Sequence, residues 1–264
     1  MSTGVTPVPE RRGPLTVHPV PGLRQFGVDA FVTDRGGGVS TGAFESLNLA
    51  THVGDRAKDV EENRRRVAGA IGVNVERLVI VRQVHGNVAV DASHATPDTE
   101  ADALHCTSGE LALAVLVADC VPIVLVDAAS PRFCVVHAGW RGLAAGVVTS
   151  ALSTFENVRT IHVFVGPSIS SEGYQVGPEV AQHFADVPDA RYPDDGDRSR
   201  LDLRAVALHQ LRAGGVDGDH VEVSRQSTDG GGLFFSDRAV RPCGRFALVA
   251  RRPVAWGDMD EGSA

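Results

Sequence analysis

One thiol and two imidazoles stand out by where they fall along the chain. Cys120 and His137 lie seventeen residues apart, in ALAVLVADCVPIVLVD and FCVVHAGWRG, each where an apolar run meets a turn. His85 occupies the same kind of position in VIVRQVHGN. Strand ends present side chains to a cleft, and parallel-type sheets place ligand sites at the carboxyl ends of their strands. Two imidazoles and one thiolate gathered there would give a zinc site with three protein ligands and an open fourth position, as catalytic zinc requires. Each residue alone reads more plainly: a lone cysteine as a buried small hydrophobe, a lone histidine as a hydrogen-bonded turn residue. Cys106, Cys134 and Cys243 keep that plain reading, and His94, His105, His162, His183, His209 and His220 are assigned to solvent or helix surfaces. Beside the site candidates, Gly139 and Gly142 flank a turn into a helix, where free backbone N–H groups and Arg141 would suit an anion.

Apolar, β-branched runs must supply the strands that position these groups. They predict strands over 30–33, 78–84, 88–90, 111–118, 123–127, 133–137, 161–165, 221–224 and 246–250. Helical spacing predicts a helix over 57–71, with Val60, Val67, Ala68 and Ile71 on one face and Gly72 at its end. Further helices are expected over 143–155, 178–185 and 203–213, the last behind the capping candidate Asp202. Strands and helices mix without strict alternation. That predicts an α+β fold, a layered α/β sandwich with mixed β-sheets flanked by helices. A single domain is expected over 15–256, with 1–14 a disordered N-terminal tail and 257–264 a frayed C-terminal one.

Composition narrows the class. The chain has 264 residues, 43% of them hydrophobic, with 25 basic against 33 acidic side chains and a net charge of −8. No basic stripe is present to track a nucleic-acid backbone. No apolar run approaches the roughly 20 residues of a membrane span. Four cysteines without a C-x-x-C pair, behind a start that has prolines and arginines, point to free thiols in the cytoplasm. Oligomeric state leaves no mark in the sequence.

Long collinear motifs add a resemblance. They are TDRGGGVSTGAFESLNLATHVGD (33–55), DVEENRRRVAGAIG (59–72), RQVHGN (82–87), ADALHCTSG (101–109), ADCVPI (118–123), HAGWRG (137–142), GPSISSEGYQVGPEV (166–180), LDLRAVALHQLRAGGV (201–216) and STDGGGLFFSDR (227–238). In this order, across nearly the whole chain, they resemble the YfiH-like family, long labelled polyphenol oxidase or laccase domain and associated with purine nucleoside phosphorylases and a peptidoglycan-editing factor. The resemblance implies zinc bound by His85, Cys120 and His137, with copper the lesser candidate. It implies phosphorolysis of adenosine, inosine, guanosine and methylthioadenosine, and deamination of adenosine. Two departures stand out: Ser170-Ser171 and Ser227-Thr228-Asp229-Gly230 replace segments in which the family commonly has cysteines.

Phosphorolysis needs phosphate held near the sugar. Arg35 and Arg141 are the candidates, because a guanidinium fork binds phosphate oxygens bidentately. Ser46, Asn48 and Gln83 are candidates for polar contacts to nucleoside or phosphate. For deamination, a cation in the site would lower the pKa of its water to about 7, and Asp119 is a candidate proton carrier, a turn-orienting role being the plainer alternative. Two other readings compete. Cys120 with His137 as base would make a metal-free cysteine hydrolase, and a binding factor could edit peptidoglycan precursors through a partner. Blue-copper oxidases use H-x-H ligand pairs, and the sequence contains none.

Overall fold

The computed structural model describes residues 3–229 and 232–253. In chain order its strands are β1 (Thr3–Val5), β2 (Glu10–Arg12), β3 (Leu15–Pro19), β4 (Asp29–Thr33), β5 (Leu78–Val79), β6 (Ala89–Asp91), β7 (Ala103–Cys106), β8 (Ala112–Val117), β9 (Val121–Asp127), β10 (Phe133–Ala138), β11 (Ile161–Val165), β12 (Gln175–Val176), β13 (Arg191–Pro193), β14 (Ser199–Leu201), β15 (Val221–Ser224) and β16 (Phe246–Arg251). The α-helices are α1 (Ala57–Ile71), α2 (Trp140–Ala144), α3 (Val147–Leu152), α4 (Pro178–Ala181) and α5 (Leu203–Ala213). A seven-stranded sheet runs β1-β15-β11-β9-β10-β7-β6, and a six-stranded sheet runs β2-β3-β4-β16-β8-β5. Both are mixed: β11–β9 and β16–β8 pair antiparallel, whereas β11–β15 and β5–β8 pair parallel.

Side-chain alternation along the central strands produces the layers, because successive residues face opposite sides of a sheet. In β9 and β10, Ile123, Leu125, Cys134 and Val136 face a core shared with α3 and α5. Their neighbours Val124, Val126, Phe133 and Val135 face the other sheet, where they meet Val115, Val117, Phe246 and Leu248 of β8 and β16. The opposite side of β8 and β16 carries Ala114, Leu116, Ala247 and Val249, which pack with Val67, Ala68 and Ile71 of α1. The result is helices, sheet, sheet, helix: the α+β sandwich expected. Strands buried on both faces read as unbroken apolar runs, which is why β9 shows no polar alternation in VPIVLVD.

Several boundaries differ from the sequence reading. The N-terminal segment is not a disordered tail: β1 pairs in parallel with β15, and β2 pairs with β3. Edge pairing needs only backbone donors and acceptors, and Arg12 anchors the segment by donating to both oxygens of Asp29 at 2.5 and 2.9 Å. The C-terminal tail at 257–264 lies outside the described residues. The expected helix over 143–155 is two helices, α2 and α3, broken at Gly146 with φ 82°. The strand expected over 78–84 stops at Val79, and residues 80–88 cross from the six-stranded to the seven-stranded sheet. Among the described residues no helix is long and apolar enough to cross a membrane.

His162 was assigned to the surface and is instead stacked between Phe26 and His220, with ring centroids 3.9 and 4.0 Å away. Burial, and then the charge of His220, lower its pKa to about 4. The unfolded chain takes up this proton below about 6.5, so the contribution is intact above that pH and is lost progressively as pH falls towards 4. Urea midpoints of the wild type and His162→Phe should therefore diverge between pH 7.5 and 4.5, the wild type falling more steeply. Parallel pH profiles for the two proteins would refute this assignment.

Candidate metal centre

Cys120 sits at a crossing. β8 belongs to the six-stranded sheet and β9 to the seven-stranded one, so Ala118, Asp119 and Cys120 carry the chain between sheets. Asp119 makes the crossing possible in a left-handed backbone conformation, φ 91°. Its carboxylate accepts from Thr228 Oγ1 at 2.6 Å and from the Arg238 N–H at 2.7 Å, while its carbonyl accepts from the Ile169 N–H. Those bonds give Asp119 the turn-orienting role. Cys120 thus precedes a strand rather than ending one.

The antiparallel register then supplies His137. Ala138 pairs with Val121 and His137 with Pro122, so the end of β10 lies beside the start of β9. One residue further on, Gly139 faces Cys120. A Cβ built on Gly139 would stand 2.9 Å from the Cys120 sulfur and 3.0 Å from His85 Cδ2. His85 arrives on the other crossing segment, residues 80–88, with its backbone at φ 59°. The ligand atoms of His85, Cys120 and His137 lie within 4.8 Å of one another. The two imidazoles meet nearly edge-on, with centroids 4.7 Å apart and an interplanar angle of 79°. His137 is buried, Cys120 is half-buried and His85 is exposed, so the group opens to solvent on one side.

Asp102, which the sequence reading did not single out, ties two of the three together. Its Oδ1 accepts from His137 Nδ1 at 2.7 Å and from the His85 N–H at 3.0 Å. Its Oδ2 accepts from the Gly86 and Val84 N–H groups at 2.6 and 3.2 Å. One carboxylate therefore holds the His85 loop and orients the His137 ring, with Nδ1 on Asp102 and Nε2 as the nitrogen left for a cation. Burial raises the Asp102 pKa, and the His137 bond more than reverses this. Burial likewise pushes the Cys120 thiol up, but the charge of His137 and bonds to His137 and His85 bring it down to about 6. His137 is raised to about 9, chiefly by the Cys120 charge and Asp102 acting against burial. A thiolate near neutral pH beside two imidazoles fits a borderline-soft cation such as zinc, and copper as well.

The other expected site residues are distributed differently. Arg35 donates from Nε to the Glu45 carbonyl at 2.9 Å and lies over the Phe235 ring. Ser46 accepts from the Gly38 N–H and donates to the Arg35 carbonyl, closing the same loop. Asn48 is buried, with its amide engaged by Ala50, Asp55 and the Arg245 N–H. Gln83 bridges both backbone groups of Leu116. Each of these polar side chains is hydrogen-bonded within the scaffold. Arg141 stays exposed over the Trp140 ring. Tyr174, missed in the sequence, lies under Arg238 and close enough to Cys120 for the thiolate charge, after burial, to help raise its pKa to about 12. At the departures from the family pattern, Ser170 Oγ donates to Asp229 at 2.6 Å, so a hydrogen bond joins the two segments.

The model of the family described as multi-copper polyphenol oxidoreductase laccase matches residues 29–252. Purine nucleoside phosphorylase Rv2149c of Mycobacterium tuberculosis (strain H37Rv) is 38% identical over 224 residues, covering 82% of this chain and 89% of that protein. Purine nucleoside phosphorylase YfiH of Escherichia coli K12 is 35% identical over 230 residues, covering 84% and 92%. Among solved structures, YlmD from Geobacillus stearothermophilus superposes with a TM-score of 0.84 at 30% identity, covering 94% of this chain and all of that one. Neisseria meningitidis NMB0706 gives 0.80 at 34% identity, covering 85% and 94%. With this coverage and order of motifs, the chain belongs to the YfiH-like, laccase-domain family.

Proposed function

We propose that the chain is a zinc-dependent purine nucleoside phosphorylase that also cleaves methylthioadenosine and deaminates adenosine. The convergence of His85, Cys120 and His137 at an open edge between the sheets carries this reading, and the names of the relatives support the substrate class. Zinc held by these three side chains would supply Lewis acidity there. The chain's own groups do the rest. Asp102 takes up Nδ1 of His137, so that Nε2 is the atom turned to the cation, which would displace its proton on binding. Trp140 and Tyr174, each with a guanidinium over its ring, offer flat apolar faces beside the site for a purine. Arg141 and Arg238 have no carboxylate partner among the described residues, and their charge attracts phosphate to the cleft.

The decisive assay incubates the purified chain with adenosine and phosphate and resolves adenine, inosine and hypoxanthine. Adenine formation that depends on phosphate is expected, and Cys120→Ala should reduce it to background while the fold persists. Phosphorolysis undiminished in that variant would remove the proposed site. The thiolate–imidazolium pairing also suits a nucleophilic Cys120. Metal content separates the two chemistries: one zinc per active chain supports phosphorolysis as proposed, whereas a metal-free active chain inactivated by alkylation of Cys120 supports the hydrolase.

A further inference from the structure

Three stretches of chain lock together beside Cys120. Asp119 is buried, and its carboxylate is satisfied by two donors: Thr228 Oγ1 at 2.6 Å and the Arg238 N–H at 2.7 Å. Thr228 is itself buried, and its N–H donates to the Ser168 carbonyl at 3.1 Å. Ser168 in turn pairs with Ser227 in a parallel bridge. The next residue, Ile169, donates its N–H to the Asp119 carbonyl at 3.0 Å. Both the side chain and the main chain of Asp119 are thus held from the same direction. A carboxylate accepts and cannot donate, so the Thr228 hydroxyl must give its hydrogen to Asp119. A buried charged acceptor that loses such a donor keeps its full desolvation penalty.

This lock bears on the sulfur because Asp119 directly precedes Cys120 in a left-handed conformation, φ 91°. A residue with a Cβ stays in such a conformation only where its surroundings over-determine it. On its far side Cys120 is fixed by register, since Val121 pairs with Ala138 at the start of β9. On its near side only the Asp119 turn sets where the side chain leaves the backbone. Asp102 serves the two histidines by bonding His137 Nδ1 and the His85 N–H. We propose that Thr228 is the corresponding positioning residue for the thiolate: its hydroxyl, acting through Asp119, holds the turn that presents Cys120 Sγ to the two imidazoles. This rests on the metal-centre reading and deepens it. It also assigns a role to the 227–228 segment, which lies more than 100 positions from every proposed ligand except His137, and 91 from that one.

Cobalt(II) titration of the full chain tests the assignment, because a thiolate ligand adds a sulfur-to-cobalt absorption band that imidazoles do not. Thr228→Val keeps the side-chain shape and removes the donor. It should weaken cobalt binding by about tenfold, the low end of the range for losing an outer partner of a metal ligand, and diminish the sulfur band per bound ion. Thr228→Ser, which restores the hydroxyl, should recover both. Wild-type affinity and band in Thr228→Val overturn the proposal, and so does a Thr228→Ser chain as weak as Thr228→Val, since packing alone would then matter. If Thr228→Val does not fold, Asp119→Gly carries the test. Glycine adopts φ 91° freely but offers Thr228 nothing to hold, so the same loss is expected. Wild-type affinity in Asp119→Gly would show that backbone conformation alone places the sulfur, and the proposal falls. A wild-type chain that binds no cobalt, or binds it without the sulfur band, overturns the metal-centre reading itself.

Discussion

Asp102→Asn is expected to weaken zinc binding by about 10–100-fold, the range found when an outer partner of a ligating histidine is lost. Both oxygens of Asp102 accept two bonds each, and an amide can supply only one such oxygen. If the amide nitrogen replaces Oδ2, it faces the Val84 and Gly86 N–H groups, donor against donor, and the His85 loop loses its anchor. If it replaces Oδ1, His137 must present an unprotonated Nδ1, which puts the proton on Nε2 where the cation should bind. Each arrangement disables one ligand. Competition against a chromophoric chelator gives the affinity, and the alkylation rate of Cys120 gives a readout independent of activity. With His137 no longer held as an imidazolium partner, the thiol should become less reactive near pH 7, because thiolate is the nucleophile. Wild-type zinc affinity and unchanged alkylation would show that Asp102 serves only the fold.

The sequence exposed some of this site and concealed the rest for identifiable reasons. His85, Cys120 and His137 were visible because reactive side chains at the borders of apolar runs are rare. The sheet change beneath Cys120 was not. Residues 112–127 form a nearly continuous apolar stretch, and only the left-handed Asp119 reveals that it holds two strands in different sheets. Asp102 was hidden because its partners, the His85 loop and His137, lie 16 to 35 positions away. In ADALHC it looks like any acidic residue before a strand. The backbone contacts of Asn48 and Gln83 were equally hidden, since composition does not foretell that Asn48 grips Ala50 and Gln83 grips Leu116. The layered α+β fold was legible in the mixture of strands and helices, but the faces that β8, β9 and β10 turn to α1 or α5 were not, because these strands are buried on both sides.

Gly139→Ala should abolish the metal site while sparing the fold. The added methyl would stand 2.9 Å from Cys120 Sγ and 3.0 Å from His85 Cδ2, closer than atoms pack, and both neighbours are themselves the proposed ligands. Neither can move aside without leaving the cation. The substitution is otherwise mild: Gly139 sits at φ −81°, ψ 169°, ordinary extended backbone that alanine adopts without strain. A displacement of this kind costs about 100-fold in rate when it occurs at a reacting centre, so phosphorolysis should fall at least that far. Zinc stoichiometry should drop with it, and the melting temperature of the metal-free protein should stay close to that of the metal-free wild type. The comparison separates a cradle for three donors from a turn that merely needs a small residue. In the first case zinc and activity vanish from a folded protein. In the second the variant either keeps its metal or unfolds, and a folded Gly139→Ala protein with full zinc occupancy would mean that the three side chains do not close on one ion.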